Sequence, residues 1–381
     1  MRRETTESAE APIRLMEFVR SFHLGGTEGQ VVELLRSLPP SYRVQLAVMN
    51  FVGPLSEEVA KLGFAPREFP LSSSVMRPQT LFQVARLGAY LRRERVQLLH
   101  VHDFYGSVLG VPAAKLAGAK VIVGRLDLAH WHNRIQRAVL KRWTRLADHV
   151  IANAEAIRRQ LMDEEGIASE RITVIHNGLD LARFDERSRA ELASPLPDGH
   201  GEPWILHVAN MNHPVKRQED LLHALALLQQ KDVACQVLFV GNGPRRPELE
   251  ALAQKLGVAA RAHFLGHRSD VPALYSRAFM GVLCSSHEGM SNAVMEGMAA
   301  GLPMVVTRVG GSPDLIVDGK RGRVVEPFAP AALAAAIEEL LAHPAQAKAM
   351  GAAARDFVRR NLSLEAMVQR HDAVYRRVLQ A

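Results

Sequence analysis

Ser285-Ser286-His287-Glu288-Gly289-Met290-Ser291-Asn292-Ala293-Val294-Met295-Glu296-Gly297-Met298-Ala299-Ala300-Gly301-Leu302-Pro303 lies between two short apolar runs, Phe279 to Cys284 before it and Met304 to Thr307 after it. Unbroken apolar runs of this length read as parallel strands covered on both faces. Between them Ser291 or Asn292 can cap a helix, and Gly301 followed by Pro303 can end it, so the stretch reads strand, loop, helix, strand. Glu288 then falls on the loop at the first strand's carboxyl end, and Glu296 about one turn into the helix. Open parallel sheets bind ligands at that edge, and the helix-start amides around Ser291 to Ala293 suit a phosphate. Two carboxylates so placed can each accept hydrogen bonds from the hydroxyls of a sugar or ribose. An isolated pair would read more readily as a turn cap and a solvated helix residue; the flanking loop, cap and stop shift that balance.

Working outward, helix and strand alternate on both sides of this stretch. Ile13 to Val19 reads as a first strand, followed by a loop with Gly25 and Gly26, a helix from about Glu28 to Ser37 and a strand from Arg43 to Met49. This βαβ opening lacks a GxGxxG fingerprint, which argues against a plain dinucleotide dehydrogenase. Leu98 to Val101 delivers His102 and Asp103 to a strand end, and Val121 to Val123 leads to Arg125, Asp127, His130 and His132. Asn177-Gly178 reads as a hairpin-like turn. Asp185 to Pro203, charged and carrying Pro195, Pro197, Gly199 and Gly201, reads as a linker. The alternation restarts at Trp204 to Val208, whose carboxyl end carries Asn210, Lys216 and Arg217, and a later loop carries His267 and Arg268. The expectation is an α/β protein of two doubly wound, Rossmann-like domains, 1–184 and 204–362, joined by 185–203, with a last helix at 363–381.

Composition narrows the function classes. The 381 residues are 48% hydrophobic and 23% charged, an ordinary globular balance in a chain long enough for two cores. No apolar run approaches the ~20 residues of a membrane span, and the polar lead through Pro12 lacks a signal-peptide core. Cys235 and Cys284 sit inside apolar runs and read as buried thiols of a reducing compartment, so the chain is expected to be cytoplasmic. The net charge of +7 is dispersed over both halves, and aromatic residues are too scattered for a base-stacking platform, which speaks against nucleic acid. The densest basic run, His132 to Arg145, is an amphipathic helix that suits either an anionic membrane surface or a core helix with a solvated face. No metal-ligand cluster is apparent.

The Glu-x7-Glu arrangement resembles the signature of the retaining GT-B glycosyltransferases, above all the large GT4 family, and further motifs of that family follow in order along almost the whole chain. The resemblance implies the GT-B fold, with the two domains facing a central cleft and the last helix completing the first domain. It implies transfer from a nucleotide-sugar donor, a UDP-sugar first and GDP- or ADP-sugars next, to a glycan, lipid-linked or small-molecule acceptor. Glu296 corresponds to the ribose-binding Glu and Glu288 to the one facing the transferred sugar. Gly289, Met290, Ser291 and Asn292 correspond to the backbone donors for sugar and phosphate, and Lys216 to the phosphate-binding Lys. Where the family commonly has an Arg, this chain has Asn210, and Arg217 is the nearby cation that would substitute. Gly25 and Gly26 resemble the loop beside the diphosphate, His102 a His reaching the donor sugar, and His267 and Arg268 the segment holding the nucleobase. Arg125, Asp127 and His130 are candidates for the acceptor. The family works without a cofactor or catalytic metal, by front-side attack, and domain closure would assemble His102, Lys216 and Glu288. A GT-B epimerase or hydrolase, and a non-catalytic nucleotide-binding module, are the alternatives.

Overall fold

A computed structural model describes residues 11–71, 78–128 and 132–381. The first half contains β1 (Ile13–Val19), α1 (Gly26–Ser37), β2 (Tyr42–Val48), α2 (Ser56–Lys61), β3 (Arg67–Glu68), α3 (Pro78–Arg93), β4 (Leu98–Val101), α4 (Phe104–Ala117), β5 (Lys120–Arg125), α5 (Arg134–Leu146), β6 (His149–Ala152), α6 (Glu155–Asp163) and β7 (Ile172–Val174). After α7 (Leu181–Ser188) come β8 (Trp204–Val208), α8 (Gln218–Gln230), β9 (Gln236–Val240), α9 (Arg246–Lys255), β10 (Ala262–Gly266), α10 (Val271–Tyr275), β11 (Met280–Leu283), α11 (Asn292–Ala299), β12 (Met304–Thr307), α12 (Ser312–Leu315) and β13 (Gly322–Val325). Three helices finish the chain: α13 (Pro330–Ala342), α14 (Pro344–Asn361) and α15 (Leu364–Gln380).

The strands form two parallel sheets, in the order β3-β2-β1-β4-β5-β6-β7 and β10-β9-β8-β11-β12-β13. Each order reverses direction once, between β1 and β4 in the first sheet and between β8 and β11 in the second. Such reversals open a crevice at the strands' carboxyl ends. The apolar runs explain the sheets, since Leu98 to Val101, Val237 to Val240 and Met304 to Val306 are all buried. Local caps set the helix starts: Asp103 Oδ1 accepts the Gly106 amide at 2.7 Å to begin α4, and Asn133 and Gln136 form a reciprocal capping box on α5.

The chain divides into two compact units, one of residues 1–152, 158–175 and 368–381, the other of 153–157 and 176–367. The segment 185–203, expected as a linker, runs within the second unit and begins inside α7. Its polar and Pro-Gly composition does mark irregular backbone, but the backbone is anchored. Arg268 donates to the Ser194 carbonyl at 3.1 Å, Arg355 to Asp185 at 2.7 Å, and the Ala193 amide to Asp270 at 2.7 Å. The chain passes into the second unit at Ile175 and His176 instead, after the short excursion of 153–157, and returns at Met367 and Val368. Asn177-Gly178 is likewise no hairpin. Leu179 pairs in parallel with Ser363, and a Cβ on Gly178 would stand 2.9 Å from that of Met367, so close packing accounts for the glycine.

Candidate functional site

In the second unit the loops after β8 and β11 are clipped together. The Ser286 amide donates to the Val215 carbonyl at 2.8 Å, and the buried Cys284 thiol donates to the Arg217 carbonyl at 3.0 Å. A short 3-10 turn, Pro214–Lys216, thereby presents Lys216 toward the β11 loop. Lys216 Nζ donates to Glu288 Oε1 at 2.6 Å, and Ser285 Oγ donates to the same oxygen at 2.6 Å. Ser285 is fixed in turn by Thr307, whose hydroxyl donates to its carbonyl at 2.5 Å. Glu288 is thus a largely enclosed carboxylate, its side chain 10% exposed, held by one cation and one hydroxyl.

Helix α11 starts immediately beyond, with Ser291 Oγ accepting the Val294 amide at 3.4 Å. Asn292 accepts from Asn177 Nδ2 at 2.7 Å, and the Asn177 amide approaches Met290 Sδ at 3.1 Å, so Asn177 braces the helix start. Met290 is buried and Gly289 accepts the Gly311 amide at 2.8 Å. Glu296 lies one turn into α11, where burial pushes its carboxyl up to about 7, the Arg187 charge pulling the other way. A carboxyl so perturbed, at the carboxyl edge of a parallel sheet, is a candidate binding position.

Gly310 secures the floor of this loop. Its φ is +50°, and a Cβ there would lie 1.8 Å from the Glu288 carbonyl oxygen. Gly310→Ala is therefore expected to cost about 2–4 kcal/mol in denaturant unfolding and to misplace Glu288. An unchanged midpoint would contradict that close approach.

The remaining second-unit candidates are occupied in different ways. Asn210 is exposed, and its carbonyl accepts from Gln218 at 3.3 Å. Arg217, expected to replace a missing phosphate-binding Arg, is held by its own helix: it bonds Asp220 at 3.0 and 2.6 Å, pairs with Glu219 at 2.8 Å and stacks on Phe328 at 4.6 Å. Acidic residues in the first turn of α8 suit the helix dipole and capture the adjacent guanidinium. Arg268 is similarly bound to Asp270 at 2.7 and 2.6 Å and to Ser194, while His267 is exposed.

In the first unit, Gly25 caps α1 and Gly26 begins it; the Glu28 carboxylate folds back so closely that a Cβ on Gly25 would meet it at 2.2 Å. Burial raises the Glu28 carboxyl. His102, just past β4, is buried, and its Nε2 lies 2.5 Å from Glu17 Oε2. The register pairs Glu17 on β1 with His100 on β4, so Glu17, His100 and His102 offer ligand atoms within 4.8 Å of one another. Sequence reading found no such cluster. Its signal was a lone Glu in the run Ile13-Arg14-Leu15-Met16-Glu17-Phe18-Val19, three strands before the histidines in sequence but on the neighbouring strand of the sheet. Arg125 is buried and held by Glu165 at 2.8 Å and Thr144 at 3.3 Å, a structural pairing between β5 and its neighbours. Asp127 is half-buried, near His132; His130 lies outside the described residues.

The chain resembles known proteins over most of its length. Residues 202–343 match the family model for glycosyl transferases group 1, and residues 24–183 match that for glycosyltransferase family 4. The putative glycosyltransferase EpsD of Bacillus subtilis (strain 168) is 30% identical over 312 residues, covering 76% of this chain and 80% of the relative. The GDP-mannose-dependent alpha-(1-6)-phosphatidylinositol monomannoside mannosyltransferase of Mycolicibacterium smegmatis is 30% identical over 261 residues, covering 64% of this chain and 67% of the relative. Among solved structures, Anabaena Alr3699/HepE in complex with UDP superposes with a TM-score of 0.82 at 20% identity, covering 95% of this chain and 99% of that one. That superposition establishes the fold as GT-B.

Proposed function

The chain belongs to glycosyltransferase family 4, the group 1 glycosyl transferases, and from that premise we propose that it transfers a sugar from a nucleotide-sugar donor, a UDP-sugar first, to a hydroxyl of a glycan, lipid-linked or small-molecule acceptor with retention of anomeric configuration. The observation that carries the reading is Lys216 and Ser285 converging on Glu288 beside the start of α11, with Glu296 one turn further on. A departing nucleoside diphosphate gathers negative charge, which Lys216 and the helix start would stabilise. Glu296 would take the ribose hydroxyls, Glu288 the transferred sugar, and the amides of Gly289 to Asn292 the phosphates. Asn210, with no charge, and Arg217, bound to Asp220, leave Lys216 as the principal cation in this assignment. With that positive charge available no metal is assigned to the leaving group, and chelator is expected to leave activity unchanged.

Related proteins favour a nucleotide donor without deciding its base: HepE has been solved with UDP and with UDP-glucose, whereas the mycobacterial relative is GDP-mannose-dependent. Incubation with UDP-glucose, GDP-mannose and ADP-glucose, followed by nucleotide release and by NMR of the sugar product's anomeric proton, tests the assignment. Release from one donor with the α configuration kept supports it; inversion, or no release from any, counts against it.

The first unit is proposed to hold the acceptor, with His102 bearing on the donor sugar. We place the protein in the cytoplasm at the inner membrane face. Among the described residues no helix is long and apolar enough to cross a membrane. Helix α5, however, exposes Arg134, Arg137 and Arg142 together with Ile135, which is 68% exposed. Such a face suits anionic headgroups. Reversing Arg134, Arg137 and Arg142 to Glu is expected to abolish co-sedimentation with phosphatidylglycerol vesicles at low salt; retained binding would remove α5 from the account.

A further inference from the structure

Glu17 has no solvent exposure, and its sequence neighbours Met16 and Phe18 are equally buried. Nothing in the strand's packing calls for a carboxylate there, since an apolar side chain would avoid the desolvation of a charge. Its partners explain it. Oε2 lies 2.5 Å from His102 Nε2 and 3.2 Å from His100 Nδ1, while Oε1 accepts the hydroxyl of Tyr375 from α15 at 3.0 Å. The Tyr375 oxygen is also 2.8 Å from His100 Nδ1.

These distances admit one consistent placement of protons. The Tyr375 hydroxyl donates its hydrogen bond to Glu17, so its oxygen accepts from His100 Nδ1–H. His100 Nε2 is then unprotonated, in keeping with its burial without a hydrogen-bond partner among the described residues. Burial also pushes the His100 imidazole down to about 4, toward the neutral form, and its two histidine neighbours leave Glu17 ionised. An ionised Glu17 at 2.5 Å from His102 Nε2 requires the proton on that nitrogen. Among the described residues this is the hydrogen bond made by the His102 side chain. The arrangement does not stop at the strand. Tyr42 from β2 packs edge-on against Tyr375 at 5.9 Å and donates to Asp372 at 2.7 Å, so α15 is pinned at Tyr375 and one turn before it.

We propose that Glu17 is a positioning residue for glycosyl transfer: it holds the proton of His102 on Nε2 and fixes the ring, so that Nδ1 stands at the end of β4 as an acceptor for a sugar hydroxyl. Tyr375 locks the carboxylate, which makes the C-terminal helix part of the site's support. The proposal rests on the reading of His102 as a contact to the donor sugar.

Ring tautomers are read directly in long-range ¹H–¹⁵N spectra of full-length, histidine-labelled protein at pH 8.5. His102 is expected with Nε2 protonated and Nδ1 bare; Glu17→Gln shifts it toward a mixture of tautomers, and Tyr375→Phe does so to a smaller extent. A proton on Nδ1 in the wild type, or unchanged His102 signals in Glu17→Gln, overturns the proposal. The kinetic arm measures nucleotide release from UDP-glucose, or from GDP-mannose where that is the donor turned over. Expected are a loss of ~100-fold for His102→Ala and ~30-fold for Glu17→Gln with the donor KM within about twofold, and no further loss in the double variant. Losses that multiply would overturn the positioning role while leaving His102 in place. Full activity in His102→Ala would remove the reading of His102 itself, and the proposal with it.

Discussion

Lys216→Met is expected to lower turnover by about 10²–10³-fold, the range found when one preorganised donor to a developing charge is removed. The expectation follows from how the lysine is held. The turn Pro214–Lys216 is tied to β11 through Val215 and Arg217, and Nζ is already 2.6 Å from Glu288, so the ammonium needs little reorganisation to meet a diphosphate. Stability should scarcely change. The ion pair is only partly enclosed, with Lys216 29% exposed, and partly exposed pairs contribute about 0–1 kcal/mol. Steady-state nucleotide release beside a denaturant curve separates the two effects. A large loss of turnover at unchanged midpoint fits a charge used in the reaction. A parallel loss of both would make Lys216 a structural residue.

Nucleotide affinity is expected to rise about tenfold between pH 6 and pH 8, and Glu296 sets the direction. Burial raises its carboxyl from an ordinary 4.5 to about 7, so it is largely neutral at pH 6 and largely ionised at pH 8. Ribose hydroxyls are donors and bind the ionised form better, so affinity follows ionisation upward. Stability runs the other way. Between 4.5 and about 7 the folded chain keeps a proton that the unfolded chain has released, so rising pH removes stability through this group. Glu296→Gln should flatten the pH dependence of affinity and raise the melting temperature at pH 8, where the wild type buries a charge. Calorimetric titration with UDP and GDP at both pH values measures the first effect. Equal pH slopes in wild type and variant would place the titration elsewhere.

The second-unit candidate site was legible because its residues interrupt apolar runs at strand ends: Glu288 after β11 and Lys216 after β8 are polar where a strand has just finished. Glycine and proline punctuation likewise marked the turn at Gly301 and Pro303. What the sequence hid were pairings across long separations. Glu17 meets Tyr375 358 positions away, and nothing in either local run announces the other. The same limit explains Arg217. As a loop cation it looked available, yet the acidic first turn of α8 that follows it pairs with both terminal nitrogens of its guanidinium. Residues 185–203 carried the composition of a linker, but Arg268 and Arg355, far along the chain, anchor them to the second unit.

Thermal stabilisation by UDP, GDP and ADP at millimolar concentration, for wild type and Glu296→Ala, tests the nucleotide-sugar assignment most directly. A nucleotide at ~100 times its dissociation constant adds roughly 2.7 kcal/mol, a shift of several degrees at most in a protein of this size and readily measured. The expected result is stabilisation by one of the three, lost in Glu296→Ala. Stabilisation by none, or a shift that survives the substitution undiminished, would contradict nucleotide binding at the start of α11.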